Sequence, residues 1–140
     1  MEKLLLEFVN TLDSTFKRLQ RDLGASTGTG QLTINQFQYI EAVYELGHPT
    51  ISDIAAKLGI TRASATAGIN KLVKLGYITK TQSSEDKRVF HASLDAPGHQ
   101  LMEAKAEAFK AYGEIVRSAL SADEARQFEQ ILNKIVNLFD

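Results

Sequence analysis

Residues 50–94 read TISDIAAKLGITRASATAGINKLVKLGYITKTQSSEDKRVFHASL, and this stretch sets the expected fold. Thr50 with Asp53 three residues later is a helix-starting pair, Ile51, Ile54, Ala55 and Leu58 form an apolar face, and Gly59 ends the pattern. Thr61 starts a second helix that is expected to run over 62–75 and stop at Gly76. The space between Gly59 and Thr61 admits only a tight turn, so the two helices form a helix-turn-helix pair. Residues 77–81 and 89–94 are rich in β-branched and aromatic side chains, and the polar run Ser83-Ser84-Glu85-Asp86-Lys87-Arg88 joins them, which reads as a β-hairpin with a charged tip.

The second helix of the pair carries the chemistry. On a helical wheel Ala65, Ile69, Leu72 and Val73 share one side. Ala63, Ala67, Asn70 and Lys74 lie opposite, flanked by Arg62, Thr66 and Lys71, with Thr61 and Ser64 at the helix start. A small, polar, cationic face suits the major groove of DNA. Alanine and threonine methyls meet thymine methyls, asparagine pairs with an adenine edge, and Arg or Lys reaches guanine or phosphate. At the hairpin tip Ser84, Lys87 and Arg88 are placed to make a second contact, with an arginine or lysine entering the minor groove. Asp86, two residues before Arg88, is positioned to hold the guanidinium in a fixed pose.

Working outward, residues 2–23 place Leu5, Phe8, Leu12, Phe16, Leu19 and Leu23 at spacings of three and four, an apolar stripe on a long helix that is expected to end at Gly24. Ala25-Ser26-Thr27-Gly28-Thr29-Gly30 reads as a flexible connector. It lacks the Gly-Lys-Ser/Thr and the preceding strand of a phosphate-cradling loop. Thr33 and Gln36 form a capping box for a helix whose face is Phe37, Ile40, Val43, Tyr44 and Leu46 and which stops at Gly47. Beyond the hairpin, Asp95 caps a long helix with Pro97 in its first turn and Leu101, Ala104, Ala108, Tyr112, Ile115 and Val116 as its stripe. Ser121 and Glu124 cap a last helix carrying Phe128, Ile131, Leu132, Ile135, Val136 and Phe139.

The expected fold is therefore mainly α, an α+β winged helix-turn-helix. Residues 32–94 form the DNA-binding domain, and residues 1–31 and 95–140 form a helical dimerisation region. The terminal helices present more apolar stripe than one small winged domain covers, which a homodimer explains. Two recognition helices related by a two-fold axis would read a pseudo-palindrome with half-sites roughly 34–36 Å apart.

Composition narrows the function classes. The 140 residues carry a net charge of −1, yet residues 57–91 hold seven basic residues against two acidic ones, a basic segment on an acidic body. No cysteine is present, which excludes disulfides and thiol redox sensing within the chain. No apolar run approaches the roughly 18 residues of a membrane span, and no signal-peptide pattern opens the sequence, so no membrane association and a cytoplasmic location are expected. A cysteine nucleophile, a Gly-x-Ser-x-Gly turn and a dinucleotide fingerprint are all missing, so the chain is not expected to be an enzyme and no cofactor is expected.

Metal sensing would need clustered ligands, and His48, His91 and His99 are scattered along the chain; His91 and His99 could approach in space, but isolated surface histidines are the simpler reading. Phe37, Tyr39, Tyr44 and Tyr112 could line an apolar ligand cavity, but packed core aromatics are the simpler reading. The rival function is a winged helix used as a protein-interaction module. Such a docking face favours large apolar anchors, and Ala63, Ala67, Asn70 and Lys74 offer none.

Taken together, Asp86-Lys87-Arg88 followed by Leu94-Asp95-Ala96-Pro97-Gly98 resembles the MarR family (multiple antibiotic resistance regulators), whose wing carries Asp-x-Arg and whose long helix is entered through Leu-Thr-x-x-Gly. Asp95 stands where the family often has threonine. The resemblance covers nearly the whole chain and implies a homodimer and DNA contacts from the second helix of the pair and from the Arg88 wing. It also implies a repressor more than an activator, regulated by a small aromatic or amphipathic effector.

Overall fold

The computed structural model describes residues 1–26 and 32–138, apart from the side chains at 16, 19, 20 and 23–26. The elements, in chain order, are α1 (Glu2–Ser26), α2 (Ile34–Leu46), α3 (Ile51–Leu58), α4 (Arg62–Lys74), β1 (Ile78–Gln82), β2 (Phe90–Leu94), α5 (Ala96–Ser118) and α6 (Ala122–Val136). The fold is a winged helix-turn-helix with long N- and C-terminal helices.

Helix starts are fixed by side chains that satisfy the orphan N–H groups of the first turn. The Gln36 backbone N–H donates to Thr33 Oγ1 at 3.2 Å while Gln36 Oε1 accepts from the Thr33 N–H at 2.9 Å. Thr50 and Asp53 repeat this reciprocal pair on α3, and Ser121 and Glu124 repeat it on α6. On α4 the Ser64 N–H donates to Thr61 Oγ1 at 3.1 Å. The sharp turn between α3 and α4 needs Gly59, whose φ of 64° and ψ of 35° lie in the left-handed region.

These short helices enclose one core. Phe37, Ile40 and Val43 from α2 meet Ile51, Ile54 and Ala55 from α3 and Ala65, Ile69 and Leu72 from α4. Tyr77, Ile78 and Ala92 close it from the hairpin, and Leu101 and Met102 close it from α5. Each fully buried aliphatic side chain contributes about 1.5–3 kcal/mol, so this cluster is what holds α4 in place.

The hairpin pairs antiparallel with Ile78 opposite Leu94 and Gln82 opposite Phe90. Its second strand is anchored back to the α2–α3 turn, where the Ala92 N–H donates to the Pro49 carbonyl at 2.9 Å. The start of α5 is pressed against the base of the hairpin. A Cβ on Gly98 would lie 2.9 Å from the Tyr77 carbonyl oxygen, so only glycine fits there. Further along, Lys105 pairs with Glu41 of α2 and lies 5.4 Å from the centre of the Phe37 ring.

By contact density the chain divides into Met1–Lys105 and Ala106–Asp140. Within the first unit, α1 exposes Leu4, Leu5, Leu6, Phe8, Val9 and Leu12. Within the second, Arg117 of α5 pairs with Glu129 of α6 at 3.0 Å, and Ile115, Ile131, Ile135 and Val136 are exposed.

Several expectations are corrected. α1 continues through Gly24 to Ser26, so Ala25 and Ser26 are helical and not connector; residues 27–30 and Phe139 lie outside the described residues, as do the side chains of Phe16, Leu19 and Leu23. α4 ends one residue earlier than expected, because Leu75 is its C-cap and Gly76, at φ 82°, turns the chain toward β1. β1 is shifted by one residue, and β2 starts at Phe90 and not at Val89. Val73, Tyr44 and Leu46, placed by periodicity on apolar faces, are exposed, since each sits at the margin of its helix's buried stripe. Asp95 occupies the cap position of α5, but its carboxylate accepts from Thr79 Oγ1 on β1.

Candidate nucleic-acid interface

α4 turns Ala65, Ile69 and Leu72 into the core and leaves Arg62, Ala63, Ser64, Ala67, Asn70, Lys71 and Lys74 exposed, with Thr66 half-buried. The hydroxyls on this helix are engaged locally. Thr61 Oγ1 accepts the capping N–H and donates to Ser64 Oγ at 2.9 Å, and Thr66 Oγ1 donates to the Arg62 carbonyl, also at 2.9 Å. What remains free for a ligand is the pair of small residues Ala63 and Ala67, which permit close approach, and the cations. Lys71 and Lys74 make no ion pair or side-chain hydrogen bond among the described residues.

Two features fix the pose of α4, and the sequence reading missed both. Tyr39 of α2 lies across Gly68, where a Cβ would come within 2.6 Å of Tyr39 Cε2, and its hydroxyl donates to the Ser64 carbonyl at 3.1 Å. Partial burial raises the Tyr39 pKa, so the phenol remains a donor. The available signal was a glycine in the middle of a helix, a position that usually has a packing reason. On the hairpin side, Lys80 Nζ of β1 donates to Asn70 Oδ1 at 3.0 Å and sits 4.5 Å from the centre of the Phe90 ring.

The wing tip is a hydrogen-bonded turn. The Ser83 N–H donates to the Val89 carbonyl at 2.8 Å, the Val89 N–H donates to the Asp86 carbonyl at 2.9 Å, and Gln82 Nε2 donates to the Lys87 carbonyl at 2.6 Å. Ser84, Lys87 and Arg88 are exposed there. Arg88 Nε and Nη2 donate to Asp86 Oδ1 and Oδ2 at 3.1 and 3.2 Å, and its backbone N–H donates to Oδ1 at 3.0 Å. These bonds, the side-chain ones first, hold the Asp86 carboxyl below the usual carboxylate range. The Arg88 side chain is still 89% exposed, so it is oriented without being covered. Arg62 Nη2 donates to the Arg88 carbonyl at 3.2 Å and ties the wing tip to the first turn of α4. The structure thus gathers Thr61, Arg62, Ala63, Ser64, Thr66, Ala67, Asn70, Lys71 and Lys74 on one helix, and Ser84, Asp86, Lys87 and Arg88 on the hairpin attached to it.

The histidines pair differently from expectation. His91 stacks on His48, with ring centres 4.8 Å apart and 6° between planes, while His99 meets Tyr44 edge-on. Of the aromatic residues considered for a ligand cavity, Phe37 is core, Tyr39 packs on α4, and Tyr44 and Tyr112 are exposed. Among the described residues no three His, Asp or Glu side chains gather in a metal-binding cluster, and no helix is long and apolar enough to cross a membrane.

Residues 32–90 match the model of the MarR family. The transcriptional repressor MprA of Escherichia coli K12 is 32% identical over 89 residues, covering 64% of this chain and 51% of MprA. The HTH-type transcriptional regulator PapX of Escherichia coli is 35% identical over 88 residues, covering 63% of this chain and 54% of PapX. The chain thus spans about half the length of these curated relatives. Among solved structures, Streptococcus pneumoniae FabT, crystallised in complex with DNA, superposes with a TM-score of 0.73 at 20% identity, covering 96% of each chain, a likeness of fold.

Proposed function

We propose that this chain, whose residues 32–90 match the MarR family model, is a MarR-family protein: a homodimeric, sequence-reading DNA-binding regulator of transcription that acts as a repressor. The observation that carries this is the hydrogen bond from Arg62 to the Arg88 carbonyl, which joins the small cationic face of α4 and an exposed, pre-oriented arginine into one surface. The helix fits a major groove and Arg88 the adjacent minor groove. The name of MprA supports repression, and the FabT complex supports DNA as the ligand of this fold.

Residues 32–94 act as the reader and residues 1–31 and 95–140 as the dimerisation region, which gives the exposed apolar side chains of α1, α5 and α6 a partner. The protein works in the cytoplasm, catalyses no reaction, and responds to a small aromatic or amphipathic effector. A gel shift on the DNA upstream of the chain's own gene, across a salt series, tests the proposal. Salt-sensitive retention that an excess of unrelated duplex does not compete away is expected; retention equal for every duplex would refute sequence reading.

A further inference from the structure

We infer that Asn70 and Lys80 together form a donor-only clamp for a DNA phosphate, so that this part of α4 grips the backbone and reads no base. The inference rests on the DNA-binding function proposed above.

Lysine has three N–H donors and no acceptor. With Lys80 Nζ 3.0 Å from Asn70, the amide oxygen must face the lysine, and the amide nitrogen must face the other way. Lys80 cannot swing aside freely, because the same ammonium lies 4.5 Å from the centre of the Phe90 ring. Adenine recognition by asparagine needs the opposite freedom: the oxygen accepts from N6 while the nitrogen donates to N7. Here the oxygen is committed to the hairpin side, and what the pair offers outward is N–H groups and a positive charge. A phosphate's non-bridging oxygens accept only, which matches that offer.

Position favours the same partner. Asn70 stands eight residues after Arg62, about 12 Å along the helix axis at about 1.5 Å per residue, whereas base edges are met by the N-terminal residues of a recognition helix. The N-terminal part of α4 holds the small residues Ala63 and Ala67. Around Asn70 the exposed charged side chains are Lys71 and Lys74. No carboxylate pairs with Lys80 among the described residues.

The test measures binding by full-length Asn70→Ala, Lys80→Met and Lys80→Arg proteins to the operator and to a panel of single-base variants of it. Lys80→Met keeps an unbranched stem over Phe90 and removes the charge; Lys80→Arg restores it. Both Asn70→Ala and Lys80→Met are expected to lose affinity by a common factor across the panel. Lys80→Met also flattens the slope of log affinity against log salt by about 0.9, and Lys80→Arg restores that slope. Replacing one operator phosphate by methylphosphonate removes the difference between the wild-type protein and Lys80→Met, which holds even if the variant is less stable. A changed rank order of operators in either variant would make the pair a base reader and overturn the inference, as would unchanged affinity and slope in both. Failure of the wild-type protein to select any duplex would instead strike at the proposed function.

Discussion

Arg62 Nη2 donates to the backbone carbonyl of Arg88 at 3.2 Å, so α4 and the wing tip are hydrogen-bonded to each other across 26 residues of chain. The acceptor is main chain, so the bond restrains where the tip sits whatever the Arg88 side chain does. Arg62→Ala should free the tip: hydrogen exchange at the Ser83 and Val89 amides is expected to quicken, and operator affinity to fall by about 1–3 kcal/mol if Arg62 also contacts a base. Unchanged exchange at both amides would show that the hairpin holds its own pose.

Arg88→Ala should leave the oligomeric state intact and weaken operator binding by about 1–3 kcal/mol if the guanidinium makes a specific groove contact. Asp86→Ala should cost less, since the charge stays and only its orientation is lost. The Asp86 carboxyl is held below its ordinary pKa by Arg88, so it remains ionised down through the usual carboxylate range and releases the arginine only as pH falls further. Affinity measured at pH 7 and pH 5 should therefore not change on account of this pair. Loss of the Asp86→Ala effect already at pH 5 would contradict that.

Gly68→Ala tests how α4 is seated. Alanine is the better helix former by about 1 kcal/mol, yet its methyl would enter the space of the Tyr39 ring. A net destabilisation of about 1–3 kcal/mol is expected in thermal melts, the usual cost of overpacking. In a Tyr39→Ala background the same substitution should become neutral or stabilising. A higher melting temperature for Gly68→Ala alone would mean that Tyr39 yields without cost.

Asp53 supplies a stability test with a definite sign. Hydrogen bonds from the Thr50 backbone and then its side chain, with a smaller contribution from His91, lower its pKa against the opposing effect of burial. A carboxyl depressed in the folded state stabilises above its unfolded pKa and loses that contribution as pH falls through the folded value. Asp53→Asn should therefore narrow the gap between melting temperatures at pH 7 and in acid, while Thr50→Ala should lower stability at pH 7 by about 1 kcal/mol. An unchanged acid gap in Asp53→Asn would assign the acid sensitivity to other groups.

How far these features could be read from sequence depended on how locally they are determined. α3 was legible at both ends, because Thr50 and Asp53 mark its start and Gly59 its stop through contacts within a few residues. Gly24 misled because a glycine ends a helix only where the chain turns to positive φ, as it does at Gly47, Gly59 and Gly76. The Asp86–Arg88 bond was legible because its partners are two residues apart. The bonds from Tyr39 to Ser64 and from Lys80 to Asn70 span 25 and 10 residues and exist only once the helices and hairpin have packed. For the same reason His91 found His48 and not His99: β2 is bonded to the α2–α3 turn, a pairing no local pattern specifies.

To read a pseudo-palindrome as proposed, two chains must hold α4 and its wing on one duplex. Analytical ultracentrifugation of the protein with a duplex from upstream of its own gene reads this as a stoichiometry. Two chains per duplex, assembled from a dimer already present without DNA and dissociating as salt rises, is the expected result. A chain that sediments as a monomer, or that binds the duplex one copy at a time with no preference over unrelated DNA, would contradict it.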